Sequence, residues 1–187
     1  MKKKISIYSD LLKTLFFDMV IYKKKSSSIA KSVNSDIDLG ECKFKTICDE
    51  DELRTVFKCS GIEPDKQYYG RIKDKDEFVC IVTNENQLVS YGWITNRTLM
   101  PISEIRLQFI SKNTDIILYD FYTVDKYRRQ GFYSKLLNLI MLTKKADNFV
   151  IYALVSNLAS TKAILKSGFK KLSNIYLIFS HQLRFFK

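Results

Sequence analysis

One histidine, His181, is all the imidazole the chain offers, and its four cysteines, Cys42, Cys48, Cys59 and Cys80, form no Cys-x-x-Cys pair. A zinc centre draws on several nitrogen and sulfur ligands at short repeated spacings, so no metal site is expected. Cysteines without framework spacing suit a reducing compartment, which predicts a cytoplasmic protein. Glycine is scarce, with six residues, and neither G-x-x-x-x-G-K-[S/T] nor G-x-G-x-x-G occurs. The phosphate loops of nucleotide hydrolases and dinucleotide oxidoreductases are therefore missing. No segment reaches the ~18 apolar residues of a spanning helix. The best candidate, Leu11 to Tyr22, is interrupted by Lys13 and Asp18. A cleavable leader also reads poorly, because Lys23–Lys25 closes that run where small residues belong.

Hydrophobic residues and lysine are plentiful. Of 187 residues 46% are hydrophobic, enough for a full core in one domain with or without an appendage. The net charge is +11, and residues 1–31 carry +6 of it. Such a surface can attract nucleic acid, anionic lipid or a polyphosphate cosubstrate. A nucleic-acid interface would interleave cations with stacking aromatics, whereas these lysines gather in the tail, so no specific nucleic-acid partner is expected.

Tyr8, Leu11, Leu12, Leu15, Phe16, Met19 and Tyr22 recur at three- and four-residue spacing. That pattern predicts a basic amphipathic helix over 5–22, able to rest reversibly on the inner face of an anionic membrane. Ser26–Gly40 reads as a linker, which divides the chain into a tail, 1–34, and a main domain, 35–187. Within that domain strands are expected at Cys42–Cys48, Glu77–Thr83, Gln87–Thr95, Asp115–Val124 and Phe149–Ser156, with a further one in Thr98–Ile110. Helices are expected at Asp49–Cys59, Ser134–Lys145 and Leu158–Ser167. Lys170–Leu172 and Ile175–Ser180 read as a closing strand pair turning at Ser173-Asn174. The class is mixed α/β, an α+β arrangement around a mixed sheet.

Two junctions carry chemistry. After the apolar strand Asp115–Val124 comes Tyr127-Arg128-Arg129-Gln130-Gly131-Phe132-Tyr133-Ser134, leading into a helix. Exposed N–H groups of a first turn, aided by the helix dipole, make an anion site. Gly131 lets backbone approach phosphate, and Arg128 and Arg129 add charge. A basic turn before a surface helix reads equally well from this segment alone. Downstream, Asn157 and Ser160 open a helix that stops at Gly168-Phe169, where a helix cap is the simpler explanation of Asn157.

Taken together, the junctions resemble the GNAT superfamily of acetyltransferases. Arg128-x-x-Gly131 is similar to its pyrophosphate segment, Q/R-x-x-G-x-G/A. Asn157-x-x-Ser160 followed by Gly168-Phe169 is similar to its N-x-x-A/S-x-x-x-Y-x-x-x-G-F segment. The resemblance covers about 115–172, with compatible element order from about 41 onward. It implies a GNAT-like fold in which acetyl-CoA lies between the strand ending at Val124 and Phe149–Ser156. Backbone of Tyr122, Thr123 and Val124 would hold the pantetheine arm, and the amides of Arg129, Gln130, Gly131, Phe132 and Tyr133 the pyrophosphate. Asn157 and Ser160 would complete the cosubstrate site.

Two departures stand out. Tyr133 replaces a small residue, so its ring must turn away from phosphate. Ile164 stands where many relatives carry a tyrosine that protonates the leaving thiolate. Asp120 is the first candidate for the base, ahead of Glu104 and His181; Tyr119, Tyr122 and Tyr133 are candidate acids, and Asp120 and Tyr133 are the catalytic pair expected. The implied reaction is direct transfer of acetyl to a small-molecule primary amine. Its pocket would draw on Asp49–Tyr69 and the closing strand pair. The Thr123 to Tyr133 segment resembles GNATs of bacterial surface-polysaccharide pathways, which suggests an amino sugar. The rival classes are a membrane-surface module and a CoA-binding protein without catalysis.

Overall fold

In the computed structural model of the chain, residues 16–29, 37–102 and 107–178 are described. The strands are β1 Phe16–Lys25, β2 Lys43–Ile47, β3 Glu77–Val82, β4 Leu88–Thr95, β5 Leu99–Ile102, β6 Leu107–Ile110, β7 Asp115–Thr123, β8 Asn148–Leu154 and β9 Lys170–Ile178. The helices are α1 Glu50–Ser60, α2 Gln67–Lys73, α3 Phe132–Thr143 and α4 Leu158–Lys166. Seven strands form one mixed sheet in the order β2-β3-β4-β7-β8-β1-β9, and β5-β6 is a separate antiparallel pair. Within the large sheet only β7–β8 runs parallel.

Each face of the sheet is covered by a helix pair. Asp49 caps α1 by accepting from the N–H groups of Asp51 (2.9 Å) and Glu52 (3.0 Å). The buried stripe Leu53, Val56 and Phe57 then meets Ile47, Phe78 and Trp93, joined by Tyr68 of α2. On the other face, Leu136, Leu137, Ile140 and Met141 of α3 and Ile164 of α4 pack on Val79, Ile81, Leu118, Phe149 and Ile151. The central strands carry apolar residues on both sides because both sides are covered. No helix among the described residues is long and apolar enough to cross a membrane.

The N-terminal segment differs from expectation. Residues 1–15 lie outside the described residues, but Phe16–Lys25 is a strand, not the end of a helix. Met19, Val20, Ile21 and Tyr22 are all buried, and β1 pairs with β8 on one edge and β9 on the other. An apolar run of this length satisfies helical spacing and an interior strand equally well, and here tertiary pairing decides. Residues 16–25, assigned to the tail, thus form a strand in the same sheet as the main domain. Lys24, expected to face lipid or solvent, is buried, and its Nζ donates to the Ser167 carbonyl at 2.8 Å beside the C-terminus of α4. Burial lowers its pKa. The closing strand pair is also one continuous strand, β9. The stretch Thr98–Ile110 is a hairpin rather than a single strand.

Four large apolar side chains buried by β1, at about 1.5–3 kcal/mol each, are comparable to a typical domain stability of ~5–15 kcal/mol. A chain beginning at Ser35 is therefore expected to lose its cooperative unfolding transition in urea, followed by circular dichroism, while the full chain keeps it. A sharp transition at unchanged urea concentration in the shortened chain would contradict this role for β1.

Candidate active site

The site begins with one extra residue in β7. Tyr91 pairs with Tyr122 and Trp93 with Tyr119, so Gly92 alone on β4 faces Asp120 and Phe121 on β7. This is a β-bulge. Asp120 takes a left-handed conformation, φ +52°, which aspartate tolerates better than most residues. The ladder between β7 and β8 ends one residue earlier, at Leu118 opposite Ile151. β8 continues along β1 as far as Leu154. Beyond Leu118 the two strands therefore diverge, leaving a wedge that opens toward the C-terminal end of β7.

On the α3–α4 side of the wedge lies a cavity of about 570 Å³, lined by Phe121 and Thr123 of β7, the 127–134 segment except Gln130, and Asn157, Ala159, Ser160 and Ala163. Strand alternation decides which β7 amide faces it. The Val124 N–H donates to the Val89 carbonyl at 3.0 Å, so the Thr123 N–H points the opposite way, into the wedge. The Val124 amide is thus taken by β4 and not available to a ligand.

The turn before α3 presents donors. φ is +63° at Arg129 and +80° at Gly131, a curl in which successive N–H groups can converge on an anion. The amides of Arg129 to Ser134 have no backbone acceptor among the described residues, whereas the Lys135 N–H returns to the Gly131 carbonyl. A Cβ at Gly131 would meet nothing within 4 Å, so open space adjoins the turn. Arg128 folds back: its Nε donates to the Thr123 carbonyl at 3.1 Å and its Nη2 pairs with Asp125 at 2.8 Å. The Gln130 side chain, through Nε2, donates to the Lys126 carbonyl at 3.1 Å. Arg129 is exposed.

The α1–α2 side holds an ion pair within an aromatic cluster. Arg71 Nη1 donates to Asp120 Oδ2 at 2.6 Å. The guanidinium lies over the rings of Tyr68, Trp93 and Tyr119, 4.9–5.3 Å from their centroids. Burial alone would lower its pKa, but the hydrogen bond and charge of Asp120 outweigh burial and raise it. Behind this cluster the Tyr119 hydroxyl donates to the buried Asp76 Oδ2 at 2.5 Å, and Arg97 Nη2 donates to the same oxygen at 2.5 Å.

No family model and no curated protein matches the chain by sequence. Solved structures match it by shape. An acetyltransferase from the GNAT family of Colwellia psychrerythraea superposes with a TM-score of 0.54 at 17% identity, over 91% of this chain and 59% of that one. A GCN5-related N-acetyltransferase-like protein of Streptococcus suis gives 0.52 at 14%, over 94% and 67%. A GCN5-related N-acetyltransferase from Kribbella flavida gives 0.53 at 8%, over 92% and 63%. The fold is the GNAT fold. At these identities the likeness is one of architecture, and the chain spans 59–67% of the length of these three structures.

Within the GNAT fold the residues singled out in the sequence fall on two faces. Thr123, Arg128, Arg129, Gly131, Phe132, Tyr133, Asn157 and Ser160 line the cavity together with Tyr122. Asp120 points to Arg71 instead. Asn157 is a helix cap, accepting from the Ser160 N–H at 3.1 Å. The Tyr133 ring turns inward, 5.5 Å from the Phe121 ring, with its hydroxyl on the Ser160 side chain. Of the other candidate acids, Tyr119 is committed to Asp76, and Tyr122 donates to Asp125 at 3.0 Å. Ile164 is fully buried in the core. Glu104 and His181 lie outside the described residues. β9 sits beyond β1, two strands from the wedge, so the closing strand does not border it. Arg71 went unseen in the sequence because α2 did. Its signal was present: Asp65, after Pro64, accepts from the Gln67 N–H at 3.0 Å, a helix-start pattern.

Burial raises the pKa of Tyr68, Tyr91, Tyr119 and Tyr133 above the usual phenol value. Unfolding releases these protons, so the unfolded chain binds fewer of them above about pH 10 and stability must fall as pH rises through that range. Titration of the native protein at 295 nm is expected to show at least these four of the 11 tyrosines ionising late, with the deficit recovered in denaturant. Superimposable native and denatured curves would contradict the packing described.

Proposed function

We propose that the chain is an acyl-CoA-dependent N-acyltransferase that moves an acetyl group from acetyl-CoA to a primary amine by direct attack. The observation that carries this reading is the run of amides from Arg129 to Ser134 without backbone acceptors, set at the helix start beside the wedge. Amides of this kind bind phosphate, at about 1.5–3 kcal/mol per charge-assisted bond. The Thr123 N–H on the wedge-facing edge of β7 suits an extended amide-bearing arm, which would lie beside β7 as an added strand does. Acetyl-CoA supplies an activated thioester carbonyl at that edge.

The chain's own residues then position and deprotonate. Thr123 offers an N–H to the thioester oxygen, where negative charge develops. Asp120, across the bulge, takes the proton of the attacking amine. The new C–N bond forms as the C–S bond breaks, its electron pair leaving with sulfur. A thiol of pKa about 8.5 is a tolerable leaving group without an acid. Tyr133, whose pKa is raised by burial, would deliver a proton to such a thiolate only uphill, so it serves as cavity wall. All four cysteines are free, which suits a cytoplasmic setting. The amino-sugar form of the acceptor rests on the resemblance of the 123–133 segment alone.

Acetyl-CoA and CoA are expected to raise the melting temperature by mass action. Gly131→Glu places a carboxylate where phosphate would lie and should abolish the shift, while Gly131→Ala, which bears only the strain of its left-handed backbone, should keep part of it. A full shift in a folded Gly131→Glu protein, or no shift in the unaltered chain, would refute the donor site.

A further inference from the structure

We infer that the Arg71–Asp120 pair is the acceptor-recognition element and that the acceptor is an α-amino carboxylate; this rests on the acyltransferase reading and names its second substrate. The pair sits where β7 and β8 part, on the sheet face opposite the cavity. Arg71 is held by the faces of Tyr68, Trp93 and Tyr119. Its side chain is 17% exposed and that of Asp120 is 41% exposed. Asp120 is its sole acidic partner among the described residues. A guanidinium this sheltered is costly to leave without an anion, because water reaches little of it and ring faces carry only partial charge.

That cost determines which amine can react. Asp120 must take a proton as the amine attacks, yet protonating it would strand the Arg71 cation. A plain amine also brings a second positive charge to a place whose single negative charge is already matched. An acceptor carrying its own carboxylate resolves both difficulties. Its carboxylate replaces Asp120 on Arg71 in the bidentate manner that guanidinium favours. Its ammonium then meets the released Asp120, with the tilted ring pair of Tyr91 and Tyr122 alongside. The ammonium first gives one proton to water and becomes the free amine; as its nitrogen bonds to the acyl carbon it loses a second proton to Asp120, and the sulfur departs as thiolate with the C–S electron pair. Because Arg71 and Asp120 touch at 2.6 Å, the two charged groups of the ligand must also be close, as they are when attached to one carbon. The pair therefore favours an amino acid over an amino sugar.

The test uses the full chain and the standard amino acids, each beside its α-carboxamide and its decarboxylated amine. Acetyl transfer is followed by thiol release, and binding by thermal shift with and without CoA. At least one amino acid is expected to exceed its carboxamide by about tenfold or more, the factor for losing one charge-assisted contact. In Arg71→Met that ratio should fall to within about twofold, with the CoA-induced shift intact. Arg71→Lys, a point charge without the fork, should retain part of the preference. Carboxamides or amines used as well as every amino acid would overturn the inference, as would a preference surviving Arg71→Met. So would failure of the whole panel to bind or react while CoA still stabilises the chain. Absence of the CoA shift in the unaltered protein would instead refute the acyltransferase reading, and amino-acid binding in that same protein would show the Arg71 site standing without it.

Discussion

The site depends on one inserted residue. If β7 matched β4 residue for residue, Asp120 would follow the ordinary alternation and the β7–β8 ladder could continue past Leu118. With two residues facing Gly92, the strand bends, its edge leaves β8, and a wedge opens between two otherwise central strands. Gly92 is the counterpart the bulge requires. A Cβ there would lie 2.5 Å from the Phe121 ring, so any larger residue would drive Phe121 out of its place over the sheet or undo the bulge. Phe121 in turn supports Tyr133, whose ring turns inward. Register, bulge and cavity wall form one unit.

The bulge also joins the two faces. Before it, Ile117 and Tyr119 look toward α1 and α2, where Tyr119 anchors to Asp76 and Arg97. Residues after it supply Phe121 and Thr123 to the cavity. Asp120, between them, is held by Arg71. A left-handed non-glycine residue costs of order 1–3 kcal/mol and persists only where its surroundings over-determine it. Here the ion pair, the ring stack beneath Arg71 and the cross-strand pair Trp93–Tyr119 provide that constraint. The backbone strain and the placement of the Asp120 carboxylate share one cause.

Features with local physical signatures were legible in the sequence. Asp49 before an apolar periodic stretch marked α1, the turn at 84–86 marked the β3–β4 hairpin, and the apolar run 115–123 marked an interior strand. Gly131 at a strand-to-helix junction marked the left-handed turn before α3, and Asn157 marked a cap. Features set by distant pairing were not legible. Met19 to Tyr22 satisfies a helix and an interior strand alike, and only the waiting edges of β8 and β9 choose. β9 runs straight through Ser173-Asn174 because Ile21 and Val20 of β1 pair with it there. The bulge leaves no mark either, since Tyr-Asp-Phe-Tyr reads as plain alternation until Gly92 is brought opposite. Arg71 lies 49 residues from Asp120, on a helix of seven residues, too short for periodicity to announce.

On the acyltransferase reading proposed above, this division has a consequence for how such a chain would change its acceptor. The donor side is built from backbone: amides of a helix start, one strand-edge N–H, and glycine where a side chain would intrude. Substitutions that keep these backbone conformations leave it nearly intact. The acceptor side is built from side chains, with Arg71 on a helix outside the sheet and tyrosines on the strands beneath. Exchanging Arg71 would alter the charge offered to the incoming amine without touching a strand of the sheet. Asp120 is the one member that cannot be exchanged so freely, because it serves both sides: its backbone makes the bulge that opens the wedge, and its carboxylate is the one proposed to meet the amine. Acceptor choice therefore rests with the partner of Asp120 rather than with Asp120 itself, and that partner comes from α2, the element whose sequence signal is weakest.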